Sequence, residues 1–322
     1  MQKPSISIVI EWENARFAEL ERSRRMLRAL REQLSDLGPA KAVPEVYIVF
    51  DRLTIDAALV EQVVREEFDP ATAPAVLKIM PTDGLHYYEQ KNLGASQGKS
   101  EIIVFLDCDV VPEHGWLGEM ITAFDDPAVS VAGGETYVEL VDGWSRAFAL
   151  FWLFDIRRDR TGLVPSMFFH ANNVAFRRST FAQFHYKELP LYRGQCIVLG
   201  ADLLSHGVGI FRQRGARCSH PYPIGLSYFT ARALHNGRDI ICVARIQSGA
   251  GAIGLFGRAL GAFVRNIART GQRLFLYRKH LGLTPLLAVG ACALALVYFL
   301  MRLAGEILTI VRPQAIRKTF PI

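Results

Sequence analysis

Ile102-Ile103-Val104-Phe105-Leu106-Asp107-Cys108-Asp109 is the stretch on which the reading of this chain turns. A run of strand-forming apolar residues ends in two carboxylates, one residue apart. Open α/β sheets bind ligands at the carboxyl edge of their strands. Paired oxygen ligands at such an edge suit a hard divalent cation held against a phosphate-bearing substrate. Asp109 is the candidate direct ligand. Asp107 is a candidate to orient a ribose or to reach the ion through water. On hardness grounds the ion is Mg2+ or Mn2+. The alternative is a pair of turn or capping aspartates before Pro112.

Working outward, the chain alternates strands and helices. Ser5 to Ile10 reads as a buried strand, and Asn14 to about Leu34 as a helix with apolar positions at helical spacing. Gly38-Pro39 and Pro44 punctuate the connection to a second strand, Val46 to Phe50. Ile55 to Phe68 is helical, Ala75 to Met80 a third strand broken by Pro81, and Tyr87 to Gln97 another helix. This order predicts an α/β fold with a mostly parallel sheet flanked by helices. Beyond it come a short helix from His114 to Phe124 and a strand from Val129 ending at Gly133-Gly134. An aromatic stretch from Trp144 to Phe154 is either an interfacial helix or core. A helix through Asp202 ends near Gly215.

The chain has 322 residues, half of them hydrophobic, and a formal net charge of +6. The excess apolar residues and clustered Arg and Lys sit toward the C-terminus, which points to an anionic membrane surface as partner and away from nucleic acid. Gly249 to Arg269 carries widely spaced arginines and suits a helix lying in a membrane interface. Leu281 to Leu300 contains no charged residue and is long enough for one bilayer crossing; a buried core helix is the alternative. Leu303 to Val311 is too short to cross alone. These features divide the chain into a catalytic region 1–225, an amphipathic helical region 226–280, and a transmembrane helix with a basic tail 281–322. Five cysteines, an odd number with no Cys-x-x-Cys pair, argue for a reducing compartment. The N-terminus, Met1-Gln2-Lys3-Pro4, offers no secretory apolar segment.

Several further residues carry chemistry. Asp51 follows the second strand and belongs at the same sheet edge, where it can accept hydrogen bonds from a ribose or base; helix N-capping is the alternative. Asp202, between Gly200 and Gly207 and among apolar neighbours, is the candidate general base for an attacking hydroxyl, since a partly desolvated carboxylate is the better base. Helix capping is its alternative. His220 can complete a metal shell or contact a diphosphate, or be structural. Asn172 and Asn173 bind substrate or satisfy a turn. Lys91 and Asn92 can contact a nucleotide, with a solvated helix face as the alternative for Lys91.

Taken together and in order, these elements resemble the family 2 glycosyltransferases, which share the GT-A fold. The resemblance runs from about residue 5 to 223. It rests on Ser7-Ile8-Val9-Ile10-Glu11-Trp12-Glu13-Asn14, Val46-Tyr47-Ile48-Val49-Phe50-Asp51, Lys91-Asn92-Leu93-Gly94, Phe105-Leu106-Asp107-Cys108-Asp109, Ala171-Asn172-Asn173-Val174-Ala175-Phe176-Arg177-Arg178, Asp202 and His220. It implies that Glu11 and Asn14 lie on a nucleotide-binding loop. It also implies that Asp51 contacts the nucleoside, Asp109 and His220 the metal, and that Asp202 is the base. Two positions depart from the pattern. Glu11-Trp12-Glu13 replaces the usual Pro-Thr-Tyr, and Ala201 replaces the usual Glu before the base.

The implied activity is metal-dependent, inverting transfer of one sugar from a nucleotide sugar, UDP- or GDP-linked, to a hydroxyl or phosphate of a membrane-linked lipid or glycan acceptor. No Gln-x-x-Arg-Trp motif of the processive synthases is present. The expected location is the cell membrane with the catalytic region on the cytoplasmic side. The alternatives from other classes are a non-catalytic nucleotide-sugar-binding or scaffold protein, and a nucleotidyltransferase.

Overall fold

A computed structural model describes residues 3–16, 18–38, 42–69 and 74–319. Met1, Gln2, Pro39 and the last three residues of the tail, which figure in the reading above, lie outside the described residues. The chain forms two compact units. One comprises Met1–Tyr137, Arg157–Glu188 and Gln195–His220; the other comprises Val138–Ile156, Leu189–Gly194 and Pro221–Ile322.

The first unit begins β1 (Ile6–Glu11), α1 (Leu20–Asp36), β2 (Glu45–Asp51), α2 (Ala57–Glu67), β3 (Val76–Thr82), α3 (Tyr87–Gln97) and β4 (Ile102–Asp107). It continues through β5 (Val111–Pro112), α4 (Trp116–Thr122), β6 (Val131–Val138), β7 (Leu163–Ser166), β8 (Asn173–Arg177), α6 (Arg178–Gln183), α7 (Gln195–Ser205) and β9 (Ile210–His220). The intervening α5 (Gly143–Phe151) belongs to the second unit. The nine strands form one sheet in the order β3-β2-β1-β4-β8-β6-β9-β5, with β7 also on β9. Pairing is parallel from β3 to β4 and antiparallel at β4–β8, β8–β6, β5–β9 and β7–β9.

Every residue of β1 and β4 is buried, as expected for strands covered on both faces. Alternation sorts them. Ile6, Ile8 and Ile10 pack with Met26, Leu27 and Leu30 of α1 and Val60, Val63 and Val64 of α2. Val9 and Phe105 face the other way, toward Tyr87, Tyr88 and Ala95 of α3. Each such apolar side chain contributes roughly 1.5–3 kcal/mol by leaving water.

Several sequence-based boundaries are corrected. The first helix splits into a 3-10 turn at Glu13–Arg16 and α1 from Leu20. β3 runs through Pro81 to Thr82, which is tolerated because β3 is an edge strand. β6 does not stop at Gly133-Gly134 but continues to Val138. At Gly134 an added Cβ would lie 2.2 Å from the Ala216 carbonyl oxygen, so the glycine keeps the strand close to its neighbours. α7 ends at Ser205, with Gly207 at φ 76° just beyond, and the residues around Gly215 belong to β9.

The second unit holds α8 (Leu226–Ser248), α9 (Ala252–Tyr277), α10 (Pro285–Val311) and α11 (Ala315–Thr319) besides α5. In the Trp144–Phe154 stretch, Trp144 is exposed, but Phe148, Phe151 and Trp152 pack with Phe229, Tyr298 and Phe299 as the core of this unit. α10 starts at Pro285 behind a Thr284 cap and absorbs Leu303 to Val311 into one 27-residue helix. It is the one helix among the described residues long and apolar enough to cross a membrane. α8 and α10 meet closely: a Cβ at Gly237 would lie 2.1 Å from the Arg302 carbonyl oxygen, and one at Gly305 would lie 2.4 Å from that of Leu234.

Candidate active site

Parallel pairing brings the ends of β1, β2, β3 and β4 to one edge, with Glu11 beside Asp107 and Asp51 beside Thr82. Two residues beyond Asp107 lies Asp109, 5% exposed. The antiparallel pair β5–β9 sets Val111 opposite Ser219 and so returns the chain to this place. His220 Nε2 then lies 3.8 Å from Asp109 Oδ2. Arg22 of α1 ties the pieces together by donating to the Asp109 carbonyl oxygen and to Ser219 Oγ.

Among the described residues no group of three or more His, Cys, Asp or Glu side chains is arranged to hold a metal ion. A cation that also binds substrate phosphates needs only one or two protein ligands. The Asp109 carboxylate and the His220 imidazole fit that requirement, and the nitrogen donor suits Mn2+ better than Mg2+. Negative charge gathers here. Burial first, then the carboxylates of Glu11, Asp109 and Asp107, push the Cys108 thiol well above its ordinary range.

Asp107 faces inward. Its Oδ1 lies 2.6 Å from Lys91 Nζ and accepts from the Tyr87 hydroxyl at 2.9 Å, while its Oδ2 accepts from Asn14 Nδ2 at 2.9 Å. Lys91 is fully buried, with its ammonium 4.6 Å from the centre of the Tyr87 ring, so it is not on a solvated helix face. Asn14 bridges two acids, because its Nδ2 also donates to Glu11 Oε1 at 2.9 Å. The other Glu11 oxygen accepts from the Glu13 backbone N–H. The Glu11 carboxylate, fully buried, therefore closes a turn inside the protein and does not project from the loop. Glu11, Asn14, Lys91 and Asp107 thus form one network.

Asp51 is not a helix cap; Asp56 caps α2. Asp51 Oδ1 accepts from the backbone N–H groups of Leu53 and Gly84, at 3.1 and 2.8 Å, and Oδ2 accepts from the Thr54 hydroxyl. Burial opposes its ionisation, but these bonds prevail and hold its pKa below the usual range.

Asn92 clamps the Tyr186 backbone, donating to its carbonyl at 2.7 Å and accepting from its N–H at 3.2 Å. Asn173 accepts from Trp116 Nε1 and donates to the carbonyls of Glu135 and Ala216. Asn172 accepts from Thr136 Oγ1 at 3.2 Å. Asp202 stands apart from the Asp107 network. It lies inside α7, its Oδ2 2.9 Å from Lys187 Nζ and its Oδ1 3.4 Å from His206 Nδ1.

One cluster escapes the sequence reading. Glu113 Oε1 accepts from Arg157 Nε at 2.6 Å and from the Tyr137 hydroxyl at 2.7 Å, and its Oε2 accepts from Arg217 Nε at 2.8 Å. Arg160 Nη2 pairs with Glu135 Oε1, two residues before Tyr137 on β6. Burial raises the Glu113 pKa, but the Arg157, Tyr137 and Arg217 bonds outweigh it and lower it to about 2. The dense Arg157-Arg158-Asp159-Arg160 run was the available signal; no spacing rule connects it to Glu113.

Comparison with known proteins follows the same line. No curated protein matches. The mannosyltransferase PcManGT of Pyrobaculum calidifontis, solved with GDP-Man and Mn2+, shares the fold: TM-score 0.59 and 17% identity, over 98% of this chain and 88% of that one. GalNAc-T7, solved with UDP, GalNAc and Mn2+, aligns with TM-score 0.49 and 12% identity over 69% of this chain and 44% of its own. The family model for glycosyl transferase family 2 matches residues 19–184. That span is more than half of the chain and carries the β4 edge with Asp107 and Asp109, so the chain belongs to glycosyl transferase family 2 and is a transferase.

Proposed function

We propose that the protein is a metal-dependent inverting glycosyltransferase. It moves a single sugar from a UDP- or GDP-linked donor to a hydroxyl or phosphate of a membrane-linked acceptor. The observation that carries this reading is the Asp109 carboxylate at the end of β4, with His220 Nε2 3.8 Å away on the returning strand. Asp109 and His220 would hold Mg2+ or Mn2+. When bound, such an ion neutralises charge on a departing nucleoside diphosphate. The presence of GDP-Man and Mn2+ in the similarly folded PcManGT supports both the donor class and the ion.

The chain's own residues do the rest. Asp51, its pKa held down and its carboxylate fixed by two backbone N–H groups, presents remaining lone pairs to a ribose or base. Asn14, fixed between Glu11 and Asp107, sets the course of the donor loop. Asp202 takes the proton of the acceptor hydroxyl as that oxygen attacks the anomeric carbon. Asn172 orients substrate on the same unit. The apolar α10 supports attachment to the cell membrane, and the five free thiols suit a catalytic unit on the cytoplasmic side.

The test is direct. Asp109→Asn keeps the shape of the side chain and removes the charge. The expected result is loss of transfer by about two orders of magnitude or more, with an unchanged melting temperature, across a panel of nucleotide sugars read by mass spectrometry. Wild-type rates in that variant would sink the reading.

A further inference from the structure

The ends of β2 and β3 bear on which nucleotide the donor carries. Asp51 closes β2, and its side chain is 7% exposed, so a ligand reaches only a small part of the carboxylate. A carboxylate offers about four acceptor positions, two on each oxygen. Both positions of Oδ1 are taken, by the backbone N–H of Leu53 at 3.1 Å and that of Gly84 at 2.8 Å. Oδ2 accepts from the Thr54 hydroxyl at 3.2 Å. The acceptor position that remains is on Oδ2.

The occupied positions are held by the loops around them. Gly84 has φ 74°, a left-handed conformation open chiefly to glycine, and it turns its N–H toward Asp51. The Arg52 N–H donates to the Thr82 carbonyl at 3.0 Å, and those of Thr54 and Ile55 donate to the Asp51 carbonyl at 3.2 and 3.0 Å. The Arg52 side chain makes two bonds to Asp83, at 2.7 and 2.8 Å. The β2 and β3 loops therefore hold one another, and Asp51 Oδ1 is the knot between them. Freeing Oδ1 for a ligand would strand two backbone donors.

Nucleobases differ in what their pairing edge asks of such a group. Guanine presents two adjacent donors, N1–H and an N2–H, and a carboxylate reads them with one position on each oxygen. Uracil presents a single donor, N3–H, between two carbonyl oxygens. Cytosine and adenine present a bare ring nitrogen there, which an ionised carboxylate repels. A carboxylate with one oxygen saturated matches a lone N–H. Guanine would bring its second donor to an oxygen that cannot accept it.

We infer that Asp51 selects uracil over guanine, so that the donor is a uridine diphosphate sugar. This selection rests on the nucleotide-sugar reading proposed above and narrows it to one base.

The experiment titrates the full chain, in neutral detergent with Mn2+, against UDP, GDP and CDP by calorimetry. The wild type binds UDP at least about tenfold more tightly than either of the others, the worth of one hydrogen bond. In Asp51→Asn the two backbone N–H groups keep the amide oxygen at the Oδ1 place and so put the amide nitrogen at the Oδ2 place. Its N–H opposes the uracil N3–H and matches the cytosine N3 lone pair. The ratio of UDP to CDP affinity therefore falls by about tenfold or more. A carboxylate that touches only ribose would instead weaken all three nucleotides by one common factor, since the sugar is the same in each. That result would overturn the selection, as would a wild type that binds GDP as tightly as UDP; either leaves the transferase reading standing. Binding of none of the three would overturn the nucleotide-sugar reading, and the selection with it. A melting curve identifies an Asn variant that fails to fold, and the wild-type order then decides.

Discussion

The Lys91 ammonium lies 2.6 Å from Asp107 Oδ1, and both side chains are sealed from solvent. An isolated buried charge is far costlier than a buried pair, so removing one partner costs about 3–5 kcal/mol. Lys91→Met should lower the unfolding free energy read from urea titration by that amount. The double variant Lys91→Met/Asp107→Leu should recover a large part of it, because neither charge is then stranded. A double variant no more stable than Lys91→Met would show that the two groups do not act as a pair.

The two aspartates of the motif should separate experimentally. Asp107→Asn weakens the bonds to Lys91, Tyr87 and Asn14 and should lower both stability and donor affinity. Asp109→Asn should lower turnover while leaving the melting temperature unchanged. Parallel melting curves and initial rates check this. Identical behaviour of the two variants would place both carboxylates in one role.

Glu113 predicts a pH dependence. Its folded pKa is lowered from 4.5 to about 2, so the stability it contributes is present above pH 4.5 and lost as pH falls toward 2. The amount is on the order of 2 kcal/mol once the partial exposure of Arg157 is allowed for. Denaturant midpoints measured from pH 5 down should fall more steeply for the wild type than for Glu113→Gln. Parallel profiles would remove Glu113 from the account.

Glycines 134 and 118 should respond oppositely to alanine. At Gly134 the new Cβ meets the Ala216 carbonyl at 2.2 Å and Asn173 Nδ2 at 2.4 Å, whereas at Gly118, inside α4, it meets nothing within 4 Å. Gly134→Ala should destabilise by about 1–3 kcal/mol. Gly118→Ala should stabilise by about 0.5–1 kcal/mol through helix propensity and a stiffer unfolded chain. Thermal melts distinguish the two signs.

Asp202→Asn should reduce kcat by about 10² to 10⁴ with little change in the KM for donor, as expected for loss of a general base. The half-exposed Lys187 partner is worth less than about 1 kcal/mol, so Lys187→Gln should melt close to the wild type. A normal kcat in Asp202→Asn would move the base elsewhere.

Much of this arrangement is legible in the chain itself. Ile102 to Leu106 can be only a buried strand, and its register with β1 puts Glu11 beside Asp107. The antiparallel half is harder to read. Ile210 to His220 mixes buried and half-buried positions without strict alternation, and Gly207 alone marks where α7 stops, so a helix there looks plausible. Pro81 misleads for the opposite reason: it breaks a central strand, but β3 has a neighbour on one side only. The destination of Lys91 is invisible because sequence shows a cation on a helix, not the buried carboxylate it meets. Glu113 and Arg217 find each other only through the β5–β9 return, which no local pattern announces.

The bond from Arg22 to Ser219 spans 197 residues of chain, and it fastens the backbone of Asp109 at the same time. A nascent polypeptide leaving the ribosome can lay down its parallel half early. It cannot fasten that corner until the final strand has emerged. Translation products that stop before β9 therefore carry the acidic motif yet lack the brace and the imidazole beside it, and should be inert.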